Sequence, residues 1–288
     1  MTQSKTHSFL RSRKCLFPLI LLATVSGFAH AEIKWSLLSG NQTGSSGGSN
    51  PGNTLSYAGN INPTTTATAS AYANTVGNTN TSLESAYLFS YSGGLGVRNQ
   101  DYSSRSGQTI DTGENQSPEH AMDNQGRKDM ILLSFTDGAN PTDIKLTGAE
   151  IGWMSTDSDI TVLAWTGIGT PAMSGVQNDL TASGWTLVGH YANLALDTKK
   201  TVNVNRDIYS SYWLISAYLG TGLTGTGASG SLDTCPTGCT TGNDYVKLSA
   251  VYGERRPAGN SGVPAPGTLA LAAVALSGVW GMRRRRRH

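Results

Sequence analysis

Charge is scarce in this sequence: only 14 % of positions are Asp, Glu, Lys or Arg. Positive charge is scarcest where it would matter for a polyanion. Between Glu32 and Gly262 there are 12 basic against 19 acidic residues, a formal charge of −7, so the overall +2 comes from the two ends. That balance excludes nucleic acid as a partner of the body and is compatible with metal ions. Cysteine is nearly absent, with three residues, and Cys15 lies close to the N-terminus. The pair left over, Cys235 and Cys239 in "CPTGC", lacks the C-x-x-C spacing of a redox motif and the further Cys or His of a zinc site. In an oxidising compartment the Pro and Gly between them let the loop close as a local disulfide. No stretch ahead of the C-terminal tail keeps the 3.6-residue period of a helix, which excludes a helical body. No D-x-D-x-D-G run is present, which excludes an EF-hand.

Both ends are apolar and basic. Lys5, Arg11, Arg13 and Lys14 precede the apolar run Cys15 to Phe28, and "AHA" at Ala29 to Ala31 supplies small residues at cleavage spacing. This order reads as a secretory signal peptide over residues 1–31, with Glu32 as the first mature residue. It implies the Sec translocon and a signal peptidase as partners. At the other end, residues 267–282 form an uncharged stretch near the lower limit for crossing a bilayer as a single transmembrane helix. The basic run of Arg283, Arg284, Arg285, Arg286 and Arg287 follows and belongs on the cytoplasmic side, so residues 283–288 are a cytoplasmic tail and the body lies outside the inner membrane. Pro264 and Pro266, in Val263-Pro264-Ala265-Pro266, hold the chain extended ahead of the helix.

Pro-rich turn, apolar helix and terminal arginine cluster, in that order over residues 263–288, resemble the PEP-CTERM sorting signal of Gram-negative bacteria. The usual acidic residue between the prolines is Ala265 here. The resemblance implies recognition by an exosortase, a membrane protease-transpeptidase, and removal of the tail, much as a GPI signal is read and discarded. "GGLGV", "SPEHAMDN", "IGWMSTDSDITVL" and "TGNDYVKL", spread from Gly93 to Leu248, are similar to a family of exosortase-dependent surface proteins. That likeness implies export to the cell surface or its exopolysaccharide matrix and carries over no catalytic residue.

The body, residues 32–255 with a linker at 256–262, is expected to be all-β: a two-sheet antiparallel, jelly-roll-like sandwich. Runs rich in β-branched and aromatic residues recur between Gly, Pro, Asn and Asp. They are Thr66–Ala73, Ser85–Tyr91, Met130–Phe135, Ile144–Trp153, Asp159–Trp165, Gly184–Ala192, Ser210–Leu219 and Asp244–Tyr252. In the first, alanines 67, 69, 71 and 73 fall on one face and Thr, Ser and Tyr72 on the other. From Gly40 to Ser82 there is no charge, and 30 of 43 residues are Gly, Ser, Thr or Asn, so residues 40–60 read as a flexible loop. "GLGV" reads as a turn. "SPEHAMD" reads as one helical turn, with Ser117 as cap and Pro118 at the first position.

Candidate chemistry is sparse. Asp123, Asn124, Asp129, Asp157 and Asp159 offer oxygens that suit Ca²⁺, the one cofactor the sequence suggests, while capping of their own turns is the competing reading. "GSSGG" at Gly44 to Gly48 matches G-x-S-x-G without the strand and helix a nucleophile elbow requires. Glu114, Glu119 and Glu150 could form a glycosidase pair only at a separation that sequence does not give. His120 and His190 are the only histidines of the body. Trp153, Trp165, Trp185 and Trp213 lie in apolar runs, where core packing competes with stacking on sugars. The expected function is a non-enzymatic surface or matrix protein. A jelly-roll carbohydrate-binding module, with or without Ca²⁺, is the alternative, and an extracellular hydrolase ranks third.

Overall fold

The computed structural model describes residues 31–47, 50–76, 81–102, 111, 113–114, 116–118, 120–176, 179–220, 239 and 242–257. Residues 1–30 of the expected signal peptide, residues 258–288 with the expected sorting signal, Glu119 and Cys235 lie outside the described residues. No helix among the described residues is long and apolar enough to cross a membrane, and the expected helix at 267–282 lies outside them.

The regular structure of the described chain is almost all β. In order its strands are β1 (Ile33–Ser36), β2 (Gln42–Thr43), β3 (Thr54–Ala58), β4 (Thr65–Ala73), β5 (Glu84–Ser85), β6 (Tyr87–Tyr91), β7 (Gly94–Arg98) and β8 (Met122–Asp123). There follow β9 (Asp129–Asp137), β10 (Asn140–Pro141), β11 (Ile144–Thr156), β12 (Ile160–Trp165), β13 (Trp185–Tyr191), β14 (Lys200–Thr201), β15 (Tyr212–Ala217) and β16 (Asp244–Arg255). They form two antiparallel sheets. One runs β14-β11-β16-β7-β6, with β1 and β8 also on β16; the other runs β13-β12-β15-β9-β4-β3-β2, with β10 on β9 and β5 on β4. The last strand is thus the hub of the first sheet, and the sandwich closes only when the chain is complete to Arg255.

The alternation expected of Thr66–Ala73 is observed one residue longer. Alanines 67, 69, 71 and 73 are wholly buried, and the residues between them are half-exposed. They join Trp35, Phe135, Trp213 and Leu248 in the core between the sheets. Trp35 and Phe135 meet edge to face with centroids 4.8 Å apart. The two indoles between the sheets also find acceptors: Trp35 Nε1 donates to Thr65 O at 3.0 Å and Trp213 Nε1 to Ile144 O at 3.1 Å. "MILLSF" and "ITVLAW" are apolar on both faces because the second sheet is covered twice. Met130, Leu132, Leu163 and Leu214 point away from the main core and pack under Met173, Leu180 and Trp185.

Three local expectations change. The 40–60 stretch supplies β2 and β3, because Leu55 and Tyr57 point into the core and sheet pairing satisfies the polar backbone around them. "GLGV" is not a turn but most of β7, and its glycines serve close approach. A Cβ on Gly94 (φ +118°) would sit 2.4 Å from Leu248 O, and one on Gly96 2.3 Å from His120 O. "SPEHAMD" forms hydrogen-bonded turns, His120 N–H to Gln116 O at 3.0 Å and Ala121 N–H to Pro118 O at 3.2 Å, and then enters β8 rather than a helix. Met122 and Asp123 are claimed by pairing with Val246 and Tyr245.

Candidate functional site

Three strand runs begin alike: "DMILL" at Asp129, "DITVL" at Asp159 and "DYVKL" at Asp244. β9 and β12 both run antiparallel to β15, and Asp244 on β16 pairs with Thr156 beside Asp157, so the three leading carboxylates meet at one end of the sandwich. With the turns before β8 they give that end an unusual charge. Asp101, Asp111, Glu114, Asp123, Asp129, Asp159 and Asp244 are all buried, whereas the buried cations among the described residues are Arg127 and Lys247. Arg127 is engaged by Asp101, with Nε and Nη2 both 2.6 Å from Oδ2.

The carboxylates form two groups. In the first, Glu114, Asp123 and Asp129 place oxygens within 4.8 Å of one another, and none has exposed surface. Asn99 holds Glu114 from two sides, its backbone N–H at 2.8 Å and its Nδ2 at 2.8 Å, and Asn99 Nδ2 also donates to Asp111 at 2.9 Å. Asp123 accepts the Gln125 N–H at 2.9 Å. Burial first, then the negative charges of Asp129, Asp123 and Asp111, push the Glu114 carboxyl well above its ordinary range. In the second group, Asp157, Asp159 and Asp244 are equally close to one another. Their oxygens accept backbone N–H groups: Asp244 from Asp159 at 2.8 Å, Asp159 from Asn193 at 2.8 Å, and Asp157 from Ser158 at 2.8 Å. Burial, with Asp159 and Asp157 adding to it, raises Asp244 to about 7.

Asn124 joins the two groups. Its Oδ1 accepts the N–H groups of Gly242 (2.9 Å) and Asp244 (3.0 Å), and its Nδ2 donates to Tyr218 O (2.9 Å) and to Asp244. Lys128 lies alongside and donates to Asn124 O. Burial lowers its ammonium pKa, and Asp123, Asp244 and Asp129 act against that. The residues singled out for Ca²⁺ therefore converge on one end but not on one point. Asp123 belongs to the first group, Asp157 and Asp159 to the second, and the Asn124 amide is consumed in holding strand ends together. In the second group the competing turn-capping role is visible bond by bond.

The other candidates are dispersed. Ser46 of "GSSGG" accepts the Ser90 N–H at 2.7 Å. Glu150 sits on β11 with Lys34 (3.4 Å), Ser249 (3.4 Å) and Tyr252. His190 bonds Thr161 Oγ1 through Nδ1 at 2.8 Å, and burial lowers its pKa to about 4, so the ring is neutral at physiological pH. His120 Nε2 lies 3.1 Å from Lys247 Nζ, which stands over the rings of Trp153 (4.0 Å) and Tyr91 (4.5 Å). Burial lowers Lys247 to about 8. Trp185 and Trp213 are core residues, while Trp153 and Trp165 are half-exposed. Sequence reasoning passed over Asp244 and Lys247, and it weighed Glu114 only as one of three conceivable glycosidase carboxylates, not as a neighbour of Asp123 and Asp129. The repeated Asp at the head of three apolar runs was the available signal.

Comparison of the chain with protein-family models, curated proteins and solved structures finds no match.

Proposed function

We propose that this protein is an exported, non-enzymatic component of the bacterial cell surface or exopolysaccharide matrix, sorted and C-terminally processed by an exosortase. Its body is a β-sandwich of jelly-roll type. The observation that supports the proposal is where the described sheets begin and end. β1 starts at Ile33, and Glu32 beside it is already engaged by Thr147 and Lys199. β16 ends at Arg255, and Arg256 is tied back to Asp143 through its N–H (3.1 Å) and guanidinium (3.1 Å). Cutting after Ala31 and near Pro264–Ala265–Pro266 would thus remove no strand residue among those described. The route runs through the Sec translocon and signal peptidase, then the inner membrane, with residues 267–282 inserted and Arg283 to Arg287 inside. The exported body, with its surplus of acids, would close Cys235–Cys239 as a disulfide outside the cell.

Mass spectrometry of the surface-exposed protein tests this reading. The expected N-terminus is Glu32, and the C-terminus lies before the arginine cluster. A mature form that still ends at His288, or a chain confined to the cytosol, would refute it.

Within this reading, Glu114, Asp123 and Asp129 are the set proposed for a structural Ca²⁺. Three wholly buried carboxylates need either protons or a cation to offset their repulsion, and oxygen donors of this kind suit a hard cation. A carbohydrate-binding role is the second reading, favoured by an aromatic cleft at the opposite end of the sandwich.

A further inference from the structure

The strand ends opposite the acidic groups surround a cleft of about 330 Å³. It is lined by the turn after β12, by the entry to β15 and by Asp143, which precedes β11. Trp165, Tyr209 and Tyr212 line it, and each keeps part of its ring in water. Trp165 and Tyr212 pack one side against the outer apolar cluster, which leaves their remaining surface to the cleft.

Each side chain is held before any ligand arrives. Trp165 Nε1 donates to Gly169 O at 2.7 Å, and the indole meets Trp185 edge to face at 5.5 Å. Gly167 and Gly184 approach that indole so closely that a Cβ on either would lie 2.5 or 2.8 Å from it. Tyr209 has the Arg256 guanidinium over one face at 4.7 Å, and Arg256 pairs with Asp143 at 3.1 Å. Asp143 also accepts from Ser211 Oγ at 2.9 Å. At the lip, Ile168 on the tip of the turn is fully exposed.

Fixed aromatic rings beside a few planar polar groups match the two surfaces of a sugar. The C–H face of a pyranose stacks on a ring, and its hydroxyls pair with carboxylate, guanidinium and hydroxyl groups. The volume is at the small end of the range for ligand pockets, which suits a single ring rather than a large molecule. Arg256 offsets the charge of Asp143, and the acidic body repels anionic polymers, so the fitting ligand is uncharged.

We propose that this cleft binds one sugar residue of a neutral polysaccharide, stacked against its rings and hydrogen-bonded through Asp143 and Ser211. The proposal rests on the matrix-protein reading for its ligand class and goes beyond it in assigning a site. Retention in such a matrix would then come from this end of the sandwich, with the acidic end turned away.

Native affinity electrophoresis of the full-length protein in mild detergent tests it, with hydroxyethylcellulose, galactomannan, dextran or alginate cast in the gel. At least one neutral polymer should retard the wild type and Tyr209→Phe. Tyr209→Ala and Asp143→Ala should each bind at least about tenfold more weakly while melting like the wild type. Equal retardation of wild type, Tyr209→Ala and Asp143→Ala would overturn the site and leave matrix location standing. Retardation by alginate above that by every neutral polymer would overturn the uncharged-ligand assignment. No retardation by any neutral polymer would overturn the proposal entirely, and the terminal masses of the surface form would still judge the export reading separately.

Discussion

Replacing Asp244 by Asn should make the protein relatively more stable as pH rises. The Asp244 carboxyl has no exposed surface and is raised from 3.8 to about 7, first by burial and then, among the contributions that raise it, by Asp159 and Asp157. A carboxyl raised in the folded state stabilises fully below its unfolded pKa, and that contribution is lost as pH climbs through about 7. Between pH 5 and pH 8 the loss is about 2–3 kcal/mol. For a domain of this size that corresponds to roughly 5–10 °C in Tm. The wild-type curve alone would mask the effect, because His190 acts in the opposite sense. Burial holds His190 near 4, so its contribution is present above 6.5 and disappears as pH falls toward 4. Taking the difference between wild type and Asp244→Asn removes the His190 term, which both proteins share. The measurement is urea unfolding of both in EDTA at pH 5, 6.5 and 8. Whatever its offset at pH 5, the variant should gain about 2–3 kcal/mol on the wild type by pH 8. Parallel stability curves would show that Asp244 is ionised throughout and that the buried acidic end is better solvated or better compensated than its geometry implies.

Three further outcomes are expected. Millimolar Ca²⁺ added to chelator-treated protein at pH 7.5 should raise Tm, by about 2.7 kcal/mol of stability at a hundredfold excess over Kd, and Asp129→Asn should abolish the response; an unchanged wild-type melt would remove the ion from the proposal. Arg127→Met should cost about 3–5 kcal/mol in urea unfolding, because Asp101, 2 % exposed, would lose the guanidinium that offsets its charge, and Asp101→Leu in the same chain should recover much of the loss. Gly94→Ala should lower stability by at least about 2 kcal/mol, since the new methyl meets Leu248 O at a positive φ, whereas Gly138→Ala, with nothing within 4 Å, should cost only about 1 kcal/mol.

The division between what was legible in sequence and what was not follows the range of the forces involved. Strand identity rests on side chains two residues apart, and the alanine stripe of β4 and the apolar runs of β9, β12, β13, β15 and β16 carry it in their own residues. The proposed export signals are equally local, since a lipid bilayer and a translocon read hydropathy and charge along an extended chain. β3 was illegible because the Gly, Ser and Asn that surround its five residues are those of a loop, and only pairing with β4 makes it a strand. "GLGV" looked like a turn because glycine also serves where one backbone must pass close to another, a demand set by β16 some 150 positions later. Ca²⁺ candidates could be picked out one by one, but whether Asp123 sits with Asp157 or with Glu114 depends on which strand ends share a side of the sheet. Composition by itself determined an acidic, glycine-rich, all-β body between two apolar, basic ends. Only the tertiary structure decided that its buried acids gather at one end and the rings of Trp165, Tyr209 and Tyr212 at the other, because antiparallel pairing alone brings residues so distant in sequence to the same few ångströms.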